Sequence, residues 1–151
     1  LSRETMLTLC RRLPGLFALF MAAAAVVPAR AGEPFPFGSE LILDASPSHG
    51  SKRIPMLEIE DDGSASIDLW CTSLHGQATV TDDSITIVPG APMSLVPGQS
   101  ADVSAAQCDP DRQADDAALI STLAQVTRWR RNGDVVELTG PTTLRYRLMT
   151  N

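Results

Sequence analysis

Leu57-Glu58-Ile59-Glu60-Asp61-Asp62-Gly63-Ser64-Ala65-Ser66-Ile67-Asp68-Leu69-Trp70-Cys71 alternates apolar and polar residues on either side of an Asp-Asp-Gly turn. In an extended chain successive side chains point to opposite faces, so this period of two predicts a hairpin that buries Leu57, Ile59, Ala65, Ile67 and Leu69 on one face. Gln77 to Thr81 and Ser84 to Val88 repeat the scheme around Asp82-Asp83, with Ala78 and Val80 on one arm and Ile85 and Ile87 on the other. A second hairpin is expected there. Residues 89–107 change character: Pro89, Gly90, Pro92, Pro97 and Gly98 are turn and loop formers, so the segment reads as a long loop. A loop of that length needs fastening, and Cys108 stands at its end.

The strongest helix signal follows at once. Asp109 can cap, Pro110 suits the first helical position, and Asp111, Asp115 and Asp116 lie near the positive end of the helix dipole. A helix from about residue 110 to about 126 is predicted, with Leu119, Ile120, Leu123 and Val126 as its apolar stripe and Ala114, Ala117, Ala118 and Ala124 packing beside it. Beyond it, Thr127 to Arg131 and Val135 to Thr139 flank Asn132-Gly133, the strongest hairpin turn in the chain. Leu144, Tyr146 and Leu148, alternating with Arg145 and Arg147, supply a last strand.

The N-terminal stretch reads as an export signal. Met6 is a plausible start, Arg11 and Arg12 form a charged region, Leu13 to Val27 is apolar, and Pro28-Ala29-Arg30-Ala31 is a small-x-small cleavage site before Gly32. The apolar run is about fifteen residues, short of the roughly twenty a membrane span requires. Residues 1–31 are therefore expected to be a cleaved signal peptide, residues 32–56 an N-terminal strand and connector, and residues 57–149 the body of a single domain. Without residues 1–31 the chain holds eight basic and seventeen acidic residues, a net charge of −9. So acidic a domain repels nucleic acid and anionic lipid surfaces.

Of three cysteines, Cys10 lies in the signal, which leaves Cys71 and Cys108 in an oxidising compartment. A disulfide between them is expected. It closes a loop of about 38 residues, worth roughly 4 kcal/mol in the loop-entropy estimate. Redox or metal roles are disfavoured, because there is no C-x-x-C spacing and only His49 and His75 are available as histidine ligands.

The order of these segments resembles a known family. Trp70-Cys71-Thr72-Ser73-Leu74-His75-Gly76, Ala105-Ala106-Gln107-Cys108, Leu119-Ile120-Ser121-Thr122-Leu123-Ala124-Gln125-Val126 and Trp129 followed by Asn132-Gly133-Asp134-Val135-Val136-Glu137-Leu138-Thr139 resemble the META domain of the HslJ-like heat-shock and envelope proteins. The resemblance covers roughly residues 57–149. It departs at Thr72, where the family usually has Asn, at Gln77, where it has an aromatic, and in Ser104 to Gln107 before the second cysteine. It implies an α+β fold, a curved and partly barrel-like antiparallel sheet packed on one main α-helix, and a family with no agreed biochemical activity.

Candidate chemistry is sparse. Ser73 and His75 with an aspartate suggest a hydrolase triad, but they stand two apart in one short segment and no Gly-x-Ser-x-Gly elbow precedes a helix. His75 before Gly76 reads instead as a turn residue. Asp109, Asp111 and Asp115 suggest a calcium loop, yet Gln113, Ala114 and Ile120 occupy positions that the template gives to a ligand, a glycine and a glutamate. His49-Gly50-Ser51-Lys52-Arg53 lacks the second glycine and the Lys-Ser or Lys-Thr ending of a phosphate loop. Neither metal nor cofactor is expected.

The densest basic patch is Arg128, Arg130 and Arg131 around Trp129, joined by Arg145 and Arg147 if the last strands pair. Alternation puts Arg128 and Arg130 on one face and Trp129 on the other. Two uses are open for the patch: pairing with Glu137 across the strands, or docking an acidic partner. The sequence thus points to a monomeric, non-enzymatic binding module, periplasmic or secreted, with an envelope-stress role implied by the resemblance alone. Its partner is an unknown envelope or extracellular protein. The rival is an exported hydrolase inhibitor that inserts residues 89–107.

Overall fold

The alternating segments all become strands of one sheet. The computed structural model describes residues 32–46, 52–93, 97–100 and 107–150. The segment 1–31, expected to be an export signal, and His49, Gly50 and Ser51 lie outside the described residues. Within the unit Ala31–Asn151 the chain forms β1 (Leu41–Leu43), β2 (Met56–Ile59), β3 (Ser64–Asp68), β4 (Ser73–Val80), β5 (Ile85–Met93), α1 (Pro110–Leu123), β6 (Arg128–Asn132), β7 (Val135–Thr139) and β8 (Thr143–Leu148). The eight strands make an antiparallel sheet in the order β5-β4-β3-β2-β1-β8-β7-β6. This is the α+β fold with a curved, partly barrel-like sheet and one disulfide that the sequence predicts.

β1 is the shortest strand and holds the central position. Leu41 pairs with Leu57 of β2 on one side and with Leu148 of β8 on the other. Three residues therefore join the meander β2–β5 to the meander β6–β8. The sheet then curls until its outer strands meet: Ser84 bridges Arg128, the Ile85 N–H donates to the Thr127 carbonyl at 3.1 Å, and the Trp129 N–H donates to the Asp83 carbonyl at 3.2 Å. Leu41, Leu57, Ile59, Ile67, Leu69, Ile85, Val136 and Leu138 are fully buried on the inner face, with Tyr146 among them. Each such side chain contributes about 1.5–3 kcal/mol through removal from water. Burial also drives the Tyr146 phenol far above its ordinary pKa.

α1 packs into this curl through Leu119 and Leu123, followed by Val126 just past its end. Two expectations for the helix need correction. It stops at Leu123 because the Gln125 side chain turns back to the Ser121 carbonyl at 2.9 Å and the Thr127 N–H is claimed by the Thr139 carbonyl, which draws the chain into β6. Ala114, Ala117, Ala118 and Ala124 face solvent, since the inward stripe is carried by Asp116, Leu119, Leu123 and, in part, Ile120.

The segment 89–107 also differs from its reading as a loop. Pro89 to Met93 extend β5, pairing as far as Ser73 with Met93. β5 is an edge strand, where a missing proline N–H breaks no ladder, and Gly90-Ala91 stand opposite the single residue His75 as a bulge. His75 is accordingly a mid-strand residue of β4 rather than a turn. Residues 94–96 and 101–106 lie outside the described residues. At the bulge a Cβ on Gly90 would sit 2.0 Å from the His75 carbonyl oxygen. Gly90→Ala should lower the denaturant midpoint by the equivalent of about 1–3 kcal/mol with an unchanged slope, as overpacking against backbone does. Equilibrium urea unfolding checks this.

Candidate functional site

Strand register assembles the basic residues. Arg130 of β6 stands opposite Glu137 of β7, which stands opposite Arg145 of β8, and Arg147 lies two residues along the same face. Arg128 and Arg130 point outward while Trp129, only 8 % exposed, points in. Glu137 receives Arg130 on one carboxylate oxygen and Arg145, at 3.6 Å, on the other. Arg128 meets Asp83 at 3.7 Å and Arg147 meets Asp44 at 3.4 Å. Four guanidinium groups on one face thus share three carboxylates. A shallow depression of about 340 Å³ opens among Arg130, Arg131, Asn132, Val135, Glu137 and Arg145.

The arginines of these pairs lie largely in water although Glu137 is mostly covered, and an ion pair with an exposed partner contributes only about 0–1 kcal/mol. These arginines can therefore exchange an internal carboxylate for an external one at little cost. Arg131 serves the fold instead: its Nε donates to the Gly133 carbonyl at 2.8 Å and an Nη1 to the Pro34 carbonyl at 3.4 Å. Trp129 donates its indole N–H to the Thr81 carbonyl at 2.8 Å and meets Phe35 edge-on, with ring centroids 5.1 Å apart. The four residues Arg128 to Arg131 thus divide into an outward pair and two that anchor the end of the sheet. Negative charge gathers elsewhere, where Glu58 of β2 is pushed above its ordinary pKa by partial desolvation and then by Glu60 and Glu40.

The other candidates take plain structural places. Ser73 and His75 occupy neighbouring outward positions of β4, opposite Asp68 and Ser66, and Asp68 is engaged by Arg53 at 3.4 Å. Asp109 caps α1, accepting the Asp111 N–H at 2.9 Å. Among the described residues no three His, Cys, Asp or Glu side chains gather into a metal-binding group. Among the same residues no helix is long and apolar enough to cross a membrane.

Asp116 is the residue whose role sequence reasoning missed. It is 5 % exposed and accepts the Trp70 N–H at 2.9 Å, the Cys71 N–H at 3.1 Å and the Thr72 hydroxyl at 3.5 Å. The Cys71–Cys108 disulfide lies beside it, with Cα atoms 5.8 Å apart. Burial raises the carboxyl above the ordinary aspartate value of 3.8, and the three donors offset only part of that shift. One signal was present: Asp116, Leu119, Leu123 and Val126 share the helical spacing of a single face.

No protein-family model matches the chain, and no curated protein matches it. Among solved structures, a protein from Burkholderia xenovorans determined by NMR is similar over 82 % of this chain and 96 % of its own, at 15 % identity and a TM-score of 0.55. A second NMR structure is similar over 73 % of this chain and 88 % of its own, at 14 % identity and a TM-score of 0.49. The first likeness concerns the fold alone.

Asp116→Asn should destabilise the domain by about 1–3 kcal/mol, because one buried backbone N–H then faces an amide NH2. A carboxyl whose pKa is raised on folding binds its proton more tightly in the folded state. Its contribution is full below 3.8 and declines as pH rises through the raised value. The gap between wild type and Asp116→Asn should therefore narrow as pH rises above the ordinary aspartate value of 3.8, as chemical denaturation across a pH series would record.

Proposed function

We propose that this protein is a non-catalytic binding module of the cell envelope, exported to the periplasm or beyond, which docks a carboxylate-rich segment of a partner protein on the outward face of β6, β7 and β8. The observation that carries this reading is the set Arg128, Arg130, Arg145 and Arg147, outward on the two strands that flank β7 in an otherwise acidic domain. Arginine suits the role because its planar fork matches a carboxylate with two parallel hydrogen bonds. Exposure favours it as well, since weak surface pairs leave the guanidinium groups free to be recruited.

Acidity elsewhere on the domain orients the approach. A negative partner is repelled by most of the surface and attracted to one face, which fixes register and raises the rate of productive encounter. Export is supported by the disulfide, a bond that persists in oxidising compartments. An envelope role is supported by the resemblance of residues 57–149 to the META domain. Neither consideration requires chemistry from Ser73 or His75.

A labelled oligoglutamate peptide is the direct probe, followed by fluorescence anisotropy. Wild type should bind it saturably at about 0.05 M salt and weaken steeply towards about 0.3 M, as screening requires. Arg130→Glu/Arg145→Glu should abolish binding while Arg53→Glu, in the connector before β2 and paired with Asp68, should not. Equal binding by the β6–β8 variant and wild type would overturn the reading, with thermal melts confirming that both are folded.

A further inference from the structure

The end of the sheet beside Trp129 carries a second site of opposite character. The segment 32–37 crosses there: the Gly133 N–H donates to the Glu33 carboxylate, and Phe35 is buried against Trp129. Phe37 leans on Phe35 with centroids 4.9 Å apart and stays 41 % exposed. Between this segment and the β4–β5 turn lies a cleft of about 520 Å³, lined by Phe35, Phe37, Trp129 and Val80 and rimmed by Glu33 and Asp82. That volume is in the range of small-molecule sites.

The polar edge of the floor is already satisfied, because the Trp129 indole N–H is committed to the Thr81 carbonyl. What the rings still offer is their electron-rich surface, which attracts cations. Asp82 makes no ion pair with any described residue. Its neighbour Asp83 takes Arg128, and the Arg131 guanidinium is committed to the Gly133 and Pro34 carbonyls. Aromatic rings beneath a carboxylate rim select a weakly hydrated positive group that can lose water cheaply on the apolar side and keep a counter-charge on the other.

We propose that this cleft binds a small organic cation of the alkylammonium class, with Phe37 and Trp129 contacting its apolar shell and Asp82 and Glu33 balancing its charge. The site is independent of the arginine face, and its ligand has the opposite sign. Choline and its uncharged isostere 3,3-dimethylbutan-1-ol are the probes, titrated into the purified protein with indole fluorescence and calorimetry as readouts. Choline should bind at least about tenfold more tightly than the isostere, and Phe37→Leu and Asp82→Asn should each weaken choline about 3- to 30-fold. Phe37 and Asp82 are exposed, so both variants should melt as wild type does. Equal affinity for choline and the isostere would overturn the proposal, as would failure of choline to bind. Tighter binding of a lysine-containing tripeptide than of choline would overturn the small-molecule assignment.

Discussion

The carboxylate of Asp116 reaches from α1 to the backbone of the β3–β4 connection, and the Cys71–Cys108 disulfide closes over the same point. Between them they solve one problem. Residues 69–72 turn at the end of two strands with Leu69 and Cys71 buried; the Leu69 N–H donates to the Thr72 carbonyl, which leaves the Trp70 and Cys71 N–H groups without a backbone partner. A buried donor left unpaired costs about 1–3 kcal/mol. Asp116 removes that cost twice, and the disulfide restricts the unfolded chain that would otherwise separate the two segments.

Pinning α1 at its start through Cys108 and in its second turn through Asp116 fixes where its stripe falls. Leu119, Leu123 and Val126 then descend along the inner face, and the chain emerges where Thr127 and Trp129 can bond Ile85 and Asp83 across the seam. The helix is thus the connection that lets the first and last strands of one sheet meet. Because its apolar face fills the inside of the curl, the outside of β6, β7 and β8 carries no packing duty. Its arginines make only surface ion pairs, whereas Arg131 and Trp129, on the other parity, hold the end of the sheet together. The guanidinium groups gather on β6 and β8 around the three carboxylates they share, and further carboxylates lie on β2 and around the aromatic cleft.

Period-two alternation made most of this legible. It placed Leu57, Ile59, Ala65, Ile67 and Leu69 inside, and it separated Arg128 and Arg130 from Trp129 without any structural information. Turn chemistry located Gly63 and Gly133, both of which adopt positive φ. Local rules failed where a distant partner decided the outcome. Pro89 and Pro92 read as loop residues because their place at a sheet edge, which tolerates them, is a property of the topology. Asp116 read as a dipole-complementing surface residue because its partners lie about 45 positions earlier in the chain. The aromatic cleft needed the segment 32–37 to cross the end of the sheet, and nothing in Phe35-Pro36-Phe37 announces where it will lie.

Native-state hydrogen exchange at the Trp70 and Cys71 amides tests the central claim, that the link from Asp116 to the β3–β4 connection holds the fold together. Local opening exposes amides at free energies below that of global unfolding, whereas groups at the structural anchor exchange only when the whole domain unfolds. The account predicts that both amides exchange at the global limit, together with the core of β3 and β7. Rapid exchange of the two, with β3 and β7 still protected, would contradict it.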